Sequence, residues 1–198
     1  MKVARLILLF ILSAGFSNTL IAARFWISAT SSNWNNPANW SNVSGGAGGF
    51  SVPGVADDVN FDNLGTGNCN IDAVVSIKSI TVAAGYSGNI IQGSNSITMI
   101  NAALFAGGSF TGGSANITIP GVLTISGTAF TSSSAILELK NNAAFTSGSF
   151  THNSGTVRFN GSFSATISGT SPVFYNLEFV GNGNTYTLSS TGNIVVIL

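Results

Sequence analysis

From about residue 67 onward, apolar positions recur on a 20-residue grid. Phe110, Phe130 and Phe150 open three matching phrases: Phe110-Thr111-Gly112, Phe130-Thr131-Ser132 and Phe150-Thr151-His152. Eight residues into each phrase stands an apolar-polar-apolar triplet, Ile117-Thr118-Ile119, Leu137-Glu138-Leu139 and Val157-Arg158-Phe159, and Leu177-Glu178-Phe179 continues the step. Ile97-Thr98-Met99 falls on the same grid, and Ile77-Lys78-Ser79 fits it weakly. A second column holds Phe105, Ile125 and Phe145, with Ala165 as a weaker member. Gly107 and Gly127 punctuate after it, while Gly148 and Gly169 lag by one and two residues.

Alternation of apolar and polar residues marks a strand with one buried face. A 20-residue unit is too short for a helix plus strands. It suits one coil of two or three short strands joined by Gly, Ser and Asn corners. One such coil cannot bury its own apolar face, so neighbours must complete it. The pattern predicts an all-β, single-stranded β-solenoid, a right-handed β-helix of about 20 residues per coil. Position n should rest on position n+20, about 4.8 Å away. About six coils fit between residue 67 and the end. A β-sandwich of short antiparallel strands is the alternative. It explains the fixed column of matched side chains less well.

Two segments precede the grid. Lys2 and Arg5 lead into an apolar run from Leu6 to about Phe16, followed by Ser17–Thr19 and the small residues Ala22 and Ala23. This is the layout of a secretory signal peptide, expected over 1–23 with cleavage after Ala22 or Ala23. The run is well short of the ~20 residues of a spanning helix, so no membrane span is expected after cleavage. Residues 24–66 hold all three tryptophans, Trp26, Trp34 and Trp40, and lie off the grid. An open first coil exposes strand edges and apolar side chains, so this segment is expected to form an aromatic N-terminal cap over repeats spanning 67–198.

Charge sharpens the picture. The chain carries 6 Lys plus Arg and 6 Asp plus Glu, 6% charged residues in all, against 24 Gly. No basic cluster exists for nucleic acid, so no nucleic-acid partner is expected. One Cys and one His provide neither a disulfide nor a zinc site. Between 67 and 198 there are six charged residues, and Glu138, Arg158 and Glu178 share one outward column with Lys78, Thr98 and Thr118. A ladder of alternating charge is the expected reading there, ahead of a carboxylate–arginine catalytic cluster.

The cap sequence runs Asn33-Trp34-Asn35-Asn36-Pro37-Ala38-Asn39-Trp40-Ser41, then Val52-Pro53-Gly54 and Asp57-Asp58-Val59-Asn60-Phe61. Together with the phrases at 150–161 and 166–179, it resembles bacterial surface proteins with autotransporter-associated or filamentous-haemagglutinin-like adhesin repeats. That resemblance implies a secreted or surface-displayed, adhesin-like and often very long protein, with glycans or a host or neighbouring cell surface as partners.

Several residues are candidates for binding. Trp34 and Trp40 could form a sugar-stacking platform with Asn35 and Asn39 as hydrogen-bonding partners. Burial of the rings as plugs is the preferred reading. Asp57, Asp58, Asp62 and the more distant Asp72 form the only acidic group, and the first three are a candidate calcium site. Asp57 and Asp58 capping a turn before Val59–Phe61 is the simpler reading. No other cofactor is expected. His152 reads as a corner residue and Cys69 as a buried thiol. Asn39, Asn42, Asn116 and Asn160 begin glycosylation sequons.

The sequence therefore points to a non-catalytic structural or adhesin-like module. A carbohydrate-binding module or a polysaccharide-active β-helix enzyme is the alternative. The run Asn193-Ile194-Val195-Val196-Ile197-Leu198 is an apolar strand without a cap, so further repeats of a longer chain are expected after it.

Overall fold

The computed structural model describes residues 22–181, 183–192 and 194–197. Of the leader expected at 1–23, only Ala22 and Ala23 are among them. Ala23 already opens the first strand, Ala23–Trp26, and the Ala22 carbonyl accepts from the Asp58 amide at 3.2 Å.

The chain is an all-β solenoid of about seven turns and about 20 residues per coil. Three ladders of parallel strands run along it. The first stacks Ala23–Trp26, Asp58–Phe61, Ser79–Val82 and Ala103–Phe105, then the starts of Leu123–Thr131 and Ala143–Thr151, then Ala165–Gly169 and Tyr186–Ser190. The second stacks Ser32–Asn33, Cys69–Asn70, Asn89–Ile91 and Ser109–Thr111 with the ends of those same two long strands. The third stacks Val75–Ile77, Ile97–Met99, Ile117–Ile119, Ile136–Leu139, Thr156–Phe159 and Asn176–Phe179.

The triplets at 117, 137 and 157 put their apolar residues inside, whereas in Leu177-Glu178-Phe179 Leu177 is half-buried and Phe179 is exposed. Ile117, Ile119, Leu137, Leu139, Val157 and Phe159 are buried, and the residue between each pair faces out. Burying one such side chain contributes roughly 1.5–3 kcal/mol. The columns themselves pack down the axis. Phe110 and Phe130 stack with centroids 4.7 Å apart at 12°, and Phe130 and Phe150 follow at 6.1 Å and 12°.

The n+20 register holds in the middle of the chain and drifts outside it. Ile97, Ile117, Leu137, Val157 and Leu177 pair in 20-residue steps. Before them the step is 22: Val75, Ser76 and Ile77 pair with Ile97, Thr98 and Met99. Ser76 therefore takes the column place expected for Lys78. The cause is the corner between Val82 and Ile90, which buries Tyr86 and is three residues longer than its counterpart between Phe105 and Phe110, offset by one residue fewer from Val75 to Ile80 than from Ile97 to Ala103.

A second correction concerns Ala165. Phe145 pairs with Gly169, not with Ala165, which pairs with Tyr186 instead. A Cβ at Gly169, whose φ is +118°, would collide with the Phe145 carbonyl. The step in that ladder is 24 residues because the preceding corner, around 160–164, has grown.

Residues 24–66 contribute strands to the same ladders. The step from Ala23 to Asp58 is 35 residues, because the chain makes an excursion before rejoining the stack. In it, Trp40–Ser41 runs antiparallel along Ala23–Trp26, pairing Trp26 with Trp40 and Phe25 with Ser41. The outer edge of the first strand is thereby covered.

Candidate functional site

The tryptophans expected as cap or platform lie inside. Trp26 and Trp40 are 0% exposed and Trp34 is 2% exposed. Trp40 meets Trp26 edge-on at 5.3 Å and Trp34 at 4.8 Å, and Phe61 closes the group at 5.9 Å from Trp40. Each edge-to-face pair adds about 0.5–1.5 kcal/mol to the burial itself. The indole N–H groups are satisfied internally: Trp40 Nε1 donates to the Trp34 carbonyl at 2.8 Å and Trp26 Nε1 to the Gly67 carbonyl at 3.0 Å. The Tyr86 hydroxyl donates to the same Gly67 carbonyl at 2.9 Å. Burial, with the adjacent Cys69, pushes the Tyr86 phenol well above its ordinary range. Gly67 itself must lack a side chain, since a Cβ there would strike the Thr30 carbonyl.

No ring face of Trp34 or Trp40 is open to a sugar. Asn39 is also turned inward: its Nδ2 donates to Ser32 Oγ at 2.8 Å and to the Asn33 carbonyl at 2.7 Å. It closes a 3-10 turn, Pro37–Asn39, whose start is capped by the Asn36 side chain accepting from the Ala38 amide. Asn35 is exposed, and its amide donates to Asp72 Oδ1 at 2.8 Å. The four residues are neighbours, but Trp40 and Asn39 bond within the segment and Asn35 binds Asp72 through its backbone amide.

The acidic residues are likewise committed one by one. Asp57 Oδ2 accepts from the Gly54 amide at 2.8 Å, and Oδ1 lies 3.8 Å from Arg24 Nη1. Asp58 holds Lys78 at 2.8 Å and accepts from the Ser79 hydroxyl. Burial raises the Asp58 carboxyl, but the hydrogen bonds from Lys78 and Ser79 and the Lys78 charge outweigh it and hold the group below its ordinary value. Asp62 accepts from Ser44 Oγ at 2.6 Å and from the Leu64 amide at 2.9 Å. Among the described residues, no three carboxylate, His or Cys side chains converge as metal ligands would.

Glu138, Arg158 and Glu178 do share one column, each the direct strand partner of the next. The ion pairs within it are unequal. Arg158 Nε binds Glu178 Oε2 at 2.7 Å, whereas Glu138 takes Lys140 of its own strand region at 3.3 Å. These groups face solvent, as a charge ladder requires. His152 Nδ1 accepts from the Ser154 amide at 2.9 Å, and its ring lies 5.5 Å from Tyr175, which keeps it in the corner. Cys69 is 0% exposed and occupies the place of Phe110 and Phe130 in their column. Burial, reinforced by Asp72, pushes its thiol well up.

Outward strand positions form hydroxyl columns. Ser76, Thr98 and Thr118 align on the third ladder, and Thr111, Thr131 and Thr151 on the second. One feature escaped the sequence reading. A cleft of about 230 Å³ opens between Ser147–Phe150 and Thr170–Val173, with Ile125 and Phe145 at its base. Its signal was the lag of Gly148 and Gly169 behind the grid.

No protein-family model matches this chain, and no curated protein or solved structure matches it either.

Proposed function

We propose that this chain is a secreted or cell-surface structural module, adhesin-like and non-catalytic, of the kind seen in bacterial surface repeat proteins. The observation that carries the reading is the pairing of a rigid stacked core with outward columns of uncharged hydroxyl side chains, Ser76-Thr98-Thr118 and Thr111-Thr131-Thr151. Such a surface offers many identical weak contacts at one strand spacing, and repeated weak contacts on a rigid scaffold gain avidity without any strong single site. Three of the six charges between 67 and 198, Glu138, Arg158 and Glu178, share one outward column, where Arg158 binds Glu178 and Glu138 pairs with neighbouring Lys140. The Trp-rich segment then serves the end of the rod rather than a ligand.

The test is adhesion at controlled valency. Beads carrying many copies should bind glycan-coated or cell surfaces, while free protein binds at least a hundredfold more weakly. Turnover of any polysaccharide in the same panel, or equal binding by free and clustered protein, would overturn the reading. The secretory expectation is checked by mass: export with cleavage after Ala22 leaves the first strand whole, beginning at Ala23.

A further inference from the structure

The 230 Å³ cleft arises because one coil moves four residues from one corner to another. From Phe145 to Val157 the chain takes 12 residues; from Gly169 to Leu177, their respective strand partners, it takes 8. The missing four reappear earlier: Leu139 to Ala143 spans 4 residues, whereas Phe159 to Ile167 spans 8. The third ladder thus keeps its 20-residue step while the second ladder loses a rung.

The consequence is an internal strand edge. The second ladder runs without interruption from Ser32–Asn33 to the end of Ala143–Thr151 and stops there. The following coil pairs with this strand only at Ala143–Phe145; the backbone of its next strand, Val173–Phe174, pairs with Val195–Val196, while the Phe174 ring packs on Phe145 and Phe150 at 5.8 and 5.5 Å. The Thr151 carbonyl accepts from the Ser132 amide, so it points back along the rod. Successive residues of a parallel strand point to opposite neighbours, so the Phe150 backbone points forward into the cleft. Among the described residues, no strand pairs with Thr146–Thr151 on that side. Ser147, Gly148 and Ser149 are exposed.

We infer that this cleft takes up an extended, uncharged peptide strand from another polypeptide, which replaces the missing rung. The edge supplies the alternating main-chain donors and acceptors that a strand requires. The coil is four residues shorter at this corner, and the cleft borders the end of a ladder built from the same kind of phrase, Ser-Gly-Ser-Phe-Thr at 147–151. Its walls carry Ser147, Ser149, Thr170 and Ser171 and no charged side chain, so a charged segment would lose hydration without recompense. The cleft lies along Ser147–Phe150 and is open at the surface, as suits the main chain of a laid-down strand. The inference stands apart from the adhesin reading, since strand addition needs no hydroxyl array.

The experiment titrates isotope-labelled protein with the blocked peptide Phe-Thr-Ser-Gly-Ser-Phe-Thr and reads amide shifts and hydrogen exchange. Saturable shifts at Gly148–Thr151 and Thr170, with exchange of the Phe150 amide slowed at least tenfold, are expected. A variant with Thr-Ser-Gly-Ser inserted between Thr170 and Ser171 fills the gap from its own chain and should lose the binding. Shifts confined to Asn176–Phe179 and Tyr186–Ser190, an equal response to a poly-lysine-tagged peptide, or the same shifts from a neutral monosaccharide would overturn the inference. The wild-type exchange measurement decides even where the insertion variant does not fold.

Discussion

Phe110 and Phe130 stack face to face in adjacent coils, their ring planes 12° apart and their centroids separated by 4.7 Å. That distance equals the spacing between neighbouring strands, so the rings follow the backbone stack without side-chain strain. Phe130 also meets Phe105 edge-on at 5.0 Å and Phe150 at 6.1 Å. It is therefore the hub of the aromatic column.

Removing that hub leaves a cavity that neighbouring strands, held at fixed spacing, cannot close. Phe130→Ala is expected to cost about 3–5 kcal/mol, and Phe130→Leu less than half of that. Urea unfolding followed by circular dichroism measures both. Phe163, 77% exposed in the enlarged corner, serves as the control: its replacement by Ala should leave the midpoint unchanged.

The columns were legible because matched side chains recur every 20 residues and the burial alternation is simple. The first coil was not, because its return takes 35 residues and the antiparallel Trp40–Ser41 strand has no counterpart in the repeats. Lys78 was placed in the wrong column because a coil longer by a net two residues changes the register without changing composition. The cleft was hidden for a related reason. A four-residue transfer between two corners cancels over a full coil, so Val157 and Leu177 stay on the grid while Phe145 and Gly169 leave it.

The cap predicts how the tryptophans respond to solvent. All three are buried with their N–H groups or ring edges engaged inside. Acrylamide should quench the native emission several-fold less than that of the unfolded chain. Neutral sugars should not shift the emission maximum. Trp40→Ala removes contacts to Trp26, Trp34 and Phe61 together, and is expected to cost about 3–5 kcal/mol. A sugar-dependent shift would reinstate a platform at Trp34 and Trp40.

Cys69 should be inert while the chain is folded. Its thiol sits in the core column, and both burial and the Asp72 charge oppose the thiolate. Only the thiolate attacks disulfide reagents. Labelling is therefore expected to be slow at neutral pH, to rise with urea in parallel with unfolding, and to change little between pH 7 and 9. Fast native labelling would place the thiol outside the core.

Asp58 and Lys78 set part of the acid limit. The folded-state carboxyl lies below its ordinary value of 3.8, so the unfolded chain binds its proton more tightly. The stabilisation is complete above the unfolded value and is lost as pH falls through the folded one. The pair is partly exposed, with side-chain exposures of 24% for Lys78 and 34% for Asp58, so its contribution is about 1 kcal/mol or less. Melting temperature should fall between pH 4 and pH 2 in the native protein. In Asp58→Asn that fall should be shallower and the value at pH 7 lower. A parallel offset at every pH would mean that the carboxylate charge does not matter.

The charge column gives the last test, because its three members alternate in sign. Arg158 lies between Glu138 and Glu178 in strand register and binds Glu178 at 2.7 Å. Arg158→Glu puts three like charges in line at strand spacing, and like charges directly opposite destabilise by roughly 0.2–1 kcal/mol per pair. Arg158→Thr places a neutral hydroxyl residue between Glu138 and Glu178 and removes one attraction without adding a like charge in direct register. The charge reversal should therefore lower the urea midpoint more than the neutral change does. The difference between the two should shrink as salt rises toward 1 M, where the screening length is about 3 Å. If neither substitution responds to salt, the ladder is ornamental and the hydroxyl columns alone define that face.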